Sequence, residues 1–305
     1  AKATNRKPQG FFVPDEILTR GLTKGTPADG GYLVGTDNMA SSFVELLRKK
    51  SLLFMLGARM LDGLVGDVVI PKQTDDATAY WIDPESEGVT ESTPSYGQIS
   101  LKPHTVGART IMSRRLLKQS APAVQDLVIT DLQKVIAEAL ETAALLGTGS
   151  ENQPLGVLNT PSIGSVSDTT SRYKTIVDME TEVTQHNVDE KNCAYIMAVD
   201  VGGKLKGTFA NDTYGETPLL RRLPGSDGFM LNGYPAFWTN FLTSQNIIFG
   251  DWSSVLIGRW GAVDLIIDPY TYSSSGALQI TAELDVDVAV RHAEAFAACT
   301  DFTVS

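Results

Sequence analysis

Residues 120–149 read SAPAVQDLVITDLQKVIAEALETAALLGTG, and their spacing decides the architecture. Ser120 is placed to cap a helix and Pro122 to sit in its first turn, where a missing N–H does no harm. Val124, Leu127, Val128, Leu132, Val135, Ile136, Ala139, Leu140, Ala143 and Leu146 then recur at helical spacing along one broad face until Gly147-Thr148-Gly149 ends the run. The pattern predicts a helix over about 121–146, a rod of ~37 Å at 1.5 Å per residue. Most globular helices are about half as long. With only one such rod in the chain, the backbone of a flat or elongated subunit is expected rather than a bundle.

Upstream of the rod the pattern changes to β. Val68, Val69 and Ile70 run into Pro71; Tyr80, Trp81 and Ile82 follow; Ile99, Leu101, Val106, Ala108, Thr110 and Met112 keep period two over much of their length. Between Gln73 and Leu101 lie Asp75, Asp76, Asp83, Glu85, Glu87 and Glu91 without a single Lys or Arg. The shape implied is a long two-stranded excursion with an acidic tip. An isolated hairpin is marginal in water, so this one needs a surface to rest on, and another subunit can supply it.

Further upstream, Asp37 can cap a helix carrying Met39, Phe43, Leu46 and Leu47 and closing on Arg48, Lys49 and Lys50, cations that answer the helix dipole. Residues 1–35 read as an arm, with Pro8, Gly10, Pro14, Gly21, Gly25, Pro27, Gly30 and Gly31 interrupting any element. Such a segment cannot supply its own core. Its basic excess reads as a solvated or neighbour-bound arm rather than a DNA-touching patch.

Downstream the pattern is mixed α/β. A helix is expected near Thr175–His186, a buried strand over Cys193–Val199, a short helix near Asp200–Lys206 and a loop over Thr208–Pro235. Strands follow at Asn246–Phe249, Ser254–Ile257, Val263–Ile267, Leu278–Leu284 and Asp285–Val290. There is no internal repeat.

At 305 residues the chain can bury a sizeable core without staples, in one large or two small domains. Its 25 Lys and Arg against 36 Asp and Glu leave a net charge of -11, which opposes diffuse attraction to phosphate backbones or anionic lipid. Two cysteines, Cys193 and Cys299, are too few for a disulfide framework and read as buried, reduced thiols. No apolar run approaches the ~20 residues of a membrane span, and no secretion signal is visible, so an intracellular chain is expected.

The search for chemistry returns little. His104, His186 and His292 have no second ligand at metal-binding spacing. Gly202-Gly203-Lys204 lacks the spacing of a phosphate loop, and there is no Gly-x-Ser-x-Gly elbow. Asp285 and Asp287 alternate with Val286, Val288 and Val290, which on a strand places the carboxylates on one face, read as solvated or interfacial rather than as an acid/base pair. No catalytic, cofactor-binding or metal-ligating residue is assigned.

Four stretches carry a resemblance. They are Gly30-Gly31-Tyr32-Leu33-Val34; Trp81 in the hairpin ahead of the rod; Gly147-Thr148-Gly149 with Gln153-Pro154-Leu155-Gly156; and Ile248-Phe249-Gly250-Asp251-Trp252 ahead of closing strands that end in Asp287-Val288-Ala289-Val290 and Ala295-Phe296. In this order and spacing they resemble the major capsid proteins of tailed bacteriophages, which share the fold first described for phage Hong Kong 97. The resemblance covers nearly the whole chain.

It implies an α+β subunit of Hong Kong 97 type. The parts would be an amino-terminal arm (1–36), a first helix and lead-in (37–65), an extended β-hairpin loop (66–112), a peripheral domain with a long spine helix (113–155), an axial α/β domain (156–250) and closing strands returning to the peripheral domain (251–305). It also implies a homo-oligomer of hexamers and pentamers in an icosahedral capsid, with a portal protein at one vertex and packaged double-stranded DNA bound without sequence specificity. No membrane and no cofactor are implied. Assembly would occur in the host cytoplasm and the product would be the virion. Many relatives carry an amino-terminal scaffolding segment that a maturation protease removes; a start at Ala1 accords with that, and equally with a separate scaffold or none.

Two expectations are more local. Asp83, Glu85, Glu87 and Glu91 are expected to face cations of an adjacent subunit, with Arg114, Arg115 and Lys118 as first candidates, setting register more than stability. The founding member crosslinks its subunits through a Lys on the extended loop. Here the tip has none, and Lys72 and Lys102 lie near the hairpin base, so a shell without crosslinks is expected, aided by non-covalent contacts and by a decoration or cement protein where one exists. Two rivals remain: an encapsulin-type nanocompartment, whose amino-terminal cargo helix does not fit residues 1–35, and an α/β enzyme, which would run as a small oligomer.

Overall fold

The computed structural model describes residues 51–75, 93–113, 123–169, 171–209, 218–222 and 228–303. In chain order they form helix α1 (Leu52–Met55), strands β1 (Arg59–Asp62), β2 (Val68–Asp75), β3 (Ser95–Leu101) and β4 (His104–Ser113), and the long helix α2 (Ala123–Leu146). Strand β5 (Gly164–Ser165), helix α3 (Arg172–Thr184), strand β6 (Cys193–Ala198) and helix α4 (Val199–Gly207) follow. The remainder is β7 (Leu220–Arg222), β8 (Phe229–Leu231), β9 (Tyr234–Thr239), β10 (Ile247–Asp251), β11 (Val255–Asp268), β12 (Ala277–Val290) and β13 (Phe296–Cys299). No helix among the described residues is long and apolar enough to cross a membrane.

The seven-stranded sheet has the order β5-β13-β10-β6-β9-β8-β7. Its centre is β6 and β10, antiparallel with Ile196 opposite Ile248. Both strands are buried at every position, as expected of continuous apolar runs covered on two faces. Helix α3 lays Ile176, Met179 and Val183 against β13, β10 and β5, and α4 packs on β6, β7 and β9. Trp252 is fully buried beside Phe296 and donates its indole N–H to Ala194 O at 2.9 Å. Both cysteines are buried and reduced.

A four-stranded sheet runs β1-β11-β12-β4, with β1 parallel to β11, and β2 and β3 form a separate two-stranded sheet. By contacts the chain forms two compact units. One holds the described parts of Gly107–Val135 and Val263–Glu283; the other holds the described parts of Arg48–Val106, Ile136–Ala262 and Leu284–Ser305. In the first, Ile129 and Leu132 of α2 line a small apolar pocket with Val263, Leu265 and Ala282.

Several expectations are corrected. The closing strands expected as four pieces are two strands of 14 residues each, β11 and β12. One phase of alternation persists from Ile280 through Val288, and Gly261 takes a positive φ of 82° within β11, a conformation open to glycine at no steric cost, so that strand continues. The expected loop over Thr208–Pro235 contains β7, β8 and the start of β9. Asn232 and Gly233, with φ of 48° and 99°, form a two-residue hairpin turn between β8 and β9, the Asn-Gly preference of type I′ turns. Strands β1, β5 and β13 were not anticipated. Helix α2 ends as its pattern predicts, yet its buried stripe is Ile129, Leu132, Ile136, Leu140 and Ala144, while Val135 and Ala139 are exposed.

Candidate assembly surface

The β2–β3 ribbon is held by seven paired positions, from Val68 opposite Leu101 to Asp75 opposite Ser95. Period-two alternation puts Val68, Ile70 and Lys72 with Leu101, Ile99 and Gly97 on one face, and Val69, Pro71 and Gln73 with Ser100, Gln98 and Tyr96 on the other. Among the described side chains of the ribbon only Leu101, at the root, is buried. Val69 is 52% exposed and Tyr96 70%. Among the described residues, no other element packs extensively on either strand. The Val68–Leu101 face is half-buried and the Val69–Tyr96 face is exposed along its length, and a two-stranded ribbon with one open face lacks the burial that makes a hairpin stable alone.

The loop that follows α2 is built differently. At the end of α2, Gly147 N donates to Ala143 O at 2.8 Å, after which residues 148–155 form a small hairpin: Thr148 bridges Leu155, and Gln153 N reaches Ser150 O at 3.0 Å across Glu151 and Asn152, both at positive φ. Gly156 N then donates back to Gly147 O at 2.9 Å. The two glycines meet backbone to backbone. A Cβ on Gly147 would lie 2.2 Å from Pro154 O, and one on Gly156 would lie 2.5 Å from Gly147 N, so no other residue fits. Asn159 closes the junction, its Nδ2 donating to Leu146 O and Gly147 O at 2.9 and 3.0 Å.

This loop lines a cleft of about 540 Å³ together with Gln98, Ser100 and His104 from the ribbon side and Asp287–Val290 from β12. Asp287 is buried, and desolvation raises its carboxyl above the usual range against the opposing effects of the Lys102 and Val288 N–H groups and of His104. Of the face read as solvated or interfacial, Asp287 is buried and corrects that reading: it accepts Lys102 N at the β3–β4 junction, while Asp285 Oδ1 accepts the Thr105 hydroxyl at 2.5 Å in an exposed bond.

Other motifs turn out to be structural. Asp251 caps the turn at Trp252–Ser254, accepting Ser253 N at 2.9 Å and the Ser254 hydroxyl at 3.1 Å. Gly202 leaves room for Trp238, whose Cε3 would lie 2.5 Å from a Cβ there. That close packing, not phosphate binding, accounts for the glycine. Burial pushes the Cys193 and Cys299 thiols up to about 12.

Asp83, Glu85, Glu87, Glu91, Arg114, Arg115 and Lys118 lie outside the described residues, as do the Gly30–Val34 stretch and Trp81. Lys72 pairs with Gly97 on the ribbon, and Lys102 is exposed at its root. His186 stands 3.8 Å from Glu294 and His104 3.8 Å from Asp287. Among the described residues no group of His, Cys, Asp and Glu could hold a metal ion. Sequence reasoning missed two networks. Glu180 of α3 accepts the Tyr195 hydroxyl and the Asn232 side-chain amide, both at 2.7 Å; Glu141 of α2, its carboxyl raised by burial, accepts the N–H of Leu52 at the start of α1. Neither pair has a local sequence signal, because each joins positions far apart in the chain.

A profile described as the phage capsid family matches residues 30–301. A major capsid protein of Halomonas phage phiHAP-1 is 36% identical over 301 residues, covering 97% of this chain and 49% of that protein. A major capsid protein of Klebsiella oxytoca phage phiKO2 is 25% identical over 148 residues, 48% of this chain and 34% of that one. The chain thus spans about half the length of the first relative and about a third of the second. Among solved structures, the capsid of an empty GTA particle is similar with a TM-score of 0.69 at 19% identity, over 92% of this chain and 100% of that one. Gordonia phage Cozz gives 0.63 at 16% identity, over 82% and 86%. At these identities the structures establish a shared fold, a mixed helix and sheet architecture like that of phage capsids.

Proposed function

The chain belongs to the phage capsid family, and from that premise we propose that it is the major subunit of an icosahedral phage head and not an enzyme. Copies assemble as hexamers and pentamers around double-stranded DNA, in the host cytoplasm, and end in the virion. The observation that carries this reading is the β2–β3 ribbon: the face that holds Val69, Pro71, Tyr96 and Gln98 is exposed along its whole length, and a neighbouring copy is what would cover it. The division into arm (1–36), first helix and lead-in (37–65), extended loop (66–112), spine helix region (113–155), axial domain (156–250) and closing strands (251–305) belongs to the same proposal. So do a portal protein at one vertex, a scaffold or maturation protease, and a decoration protein. The net charge of -11 favours a wall that does not adhere to its packaged DNA.

Size-exclusion chromatography with negative-stain microscopy tests it. Rings of five or six subunits, or closed particles, are expected; a monodisperse monomer at every concentration, with the ribbon protected, overturns it. The acidic tip (Asp83, Glu85, Glu87, Glu91) is proposed to face Arg114, Arg115 and Lys118 of the next copy. Charge reversal at the three cations should slow assembly, and simultaneous reversal of the tip should restore it. Boiling assembled material in SDS under reducing conditions should release one band near 32.9 kDa; a ladder would mean crosslinks.

A further inference from the structure

The chain passes from the ribbon to the body through two residues. Strand β3 ends at Leu101 and pairs only with β2, whereas β4 begins at His104 and joins β12 in the four-stranded sheet. Lys102 and Pro103 belong to neither. Proline brings no N–H and a fixed φ, so the one backbone donor in the break is Lys102 N, and it donates to Asp287 Oδ2 at 2.8 Å. The other carboxylate oxygen takes Val288 N at 2.8 Å and stands 3.8 Å from His104 Nε2. Two residues back on the same face of β12, Asp285 takes the Thr105 hydroxyl.

The charged groups around this point are few. From the β3–β4 segment they are His104 and the exposed Lys102, and from β12 itself Asp285. On β11, Arg259 is engaged 2.9 Å from Asp62, and the Arg291 and Lys72 charges act on His292.

Resting on the shell reading above, we propose that Asp287 is the positioning residue of the ribbon: its carboxyl group pins the β3–β4 break and so sets the direction in which the ribbon leaves the body toward a neighbouring copy. Leverage makes the position count. A tilt of ~10° at the root moves the far end of a ribbon ~23 Å long sideways by ~4 Å, close to one strand spacing.

The pH dependence has a definite sign. Burial raises the Asp287 carboxyl in the pinned arrangement relative to a solvated, released one, so ionisation weakens the pin. Pinning is firmest at low pH, where Asp287 is neutral, and loosens as pH rises through the raised value. Asparagine keeps an acceptor for Lys102 N without the buried charge, whereas alanine removes the pin.

Hydrogen exchange read by mass spectrometry on dissociated full-length subunits tests this, with protection corrected for the intrinsic pH dependence. In Asp287→Ala at pH 7, amides of 95–102 should exchange at least about tenfold faster, while those of 193–198 and 247–251 keep wild-type protection. Asp287→Asn should stay within about threefold of wild type and lose the pH dependence of ribbon protection. Wild-type exchange in Asp287→Ala, or an Asp287→Asn variant as unprotected as the alanine one, overturns the proposal. In parallel, Asp287→Ala should fail to form shells and Asp287→Asn should form them. A wild-type chain that forms no shells sinks the shell reading alone, because the exchange result is obtained on separate subunits.

Discussion

The seven-stranded sheet and the β2–β3 ribbon are both β-structure from one chain, and they solve the burial problem in opposite ways. The sheet buries every residue of β6 and β10, Phe249 among them, and adds the fully buried Trp252 and Phe296. The ribbon buries only Leu101 and leaves Tyr96 and Val69 in solvent. Strand pairing alone contributes little net free energy, since water competes for the same hydrogen bonds; apolar burial makes the difference. The sheet is therefore complete within one copy, whereas the ribbon keeps one face open, as the proposed contact with a neighbouring copy requires.

That contrast can be broken in the sheet first. Trp252→Ala removes a buried ring and its hydrogen bond to Ala194 O, and should cost ~3–5 kcal/mol of stability in denaturant titration. Tyr195→Phe should cost about 1–2 kcal/mol at pH 7, because a hydrogen bond to the Glu180 carboxylate is lost. Burial raises the Glu180 carboxyl and the Tyr195 hydrogen bond lowers it, so the deficit belongs to the ionised form and should shrink as pH falls through the raised value; a deficit that grows toward pH 4 would refute the assignment. The thiols of Cys193 and Cys299, pushed up to about 12, should resist a disulfide reagent at pH 8 until guanidinium unfolds the chain, and then titrate as two. The smallest stability effect belongs to the ribbon. Val69→Ser with Tyr96→Ser should shift the unfolding free energy of dissociated subunits by less than ~0.5 kcal/mol yet impair assembly in light scattering. A large loss of subunit stability would mean that the ribbon is covered within its own chain.

The parts of this design that can be read from sequence are those with a period or a run. The rod ends at Gly147 because its apolar recurrence stops there, and Cys193–Ala198 and Ile247–Asp251 announce burial by unbroken apolar character. The two-stranded excursion is legible from alternation and from the absence of cations. Short strands in Gly- and Pro-rich surroundings are not: β7 and β8 hide in a stretch of turn residues, although Asn232-Gly233 was the signal to follow. Alternation tells which residues of β12 share a face but not what covers it, and so it leaves Asp287 either solvated or interfacial. Contacts such as Glu180 with Tyr195 or Glu141 with Leu52 have no trace in local pattern, since tertiary folding alone brings them together.

The ribbon's small share in its own body's core has an evolutionary corollary. Substitutions, insertions or charge changes beyond Leu101 leave the folding free energy of the sheet nearly untouched, so selection for fitting a neighbour and selection for folding act on separate residues. A lineage can redraw the contact between copies without first passing through unfolded intermediates.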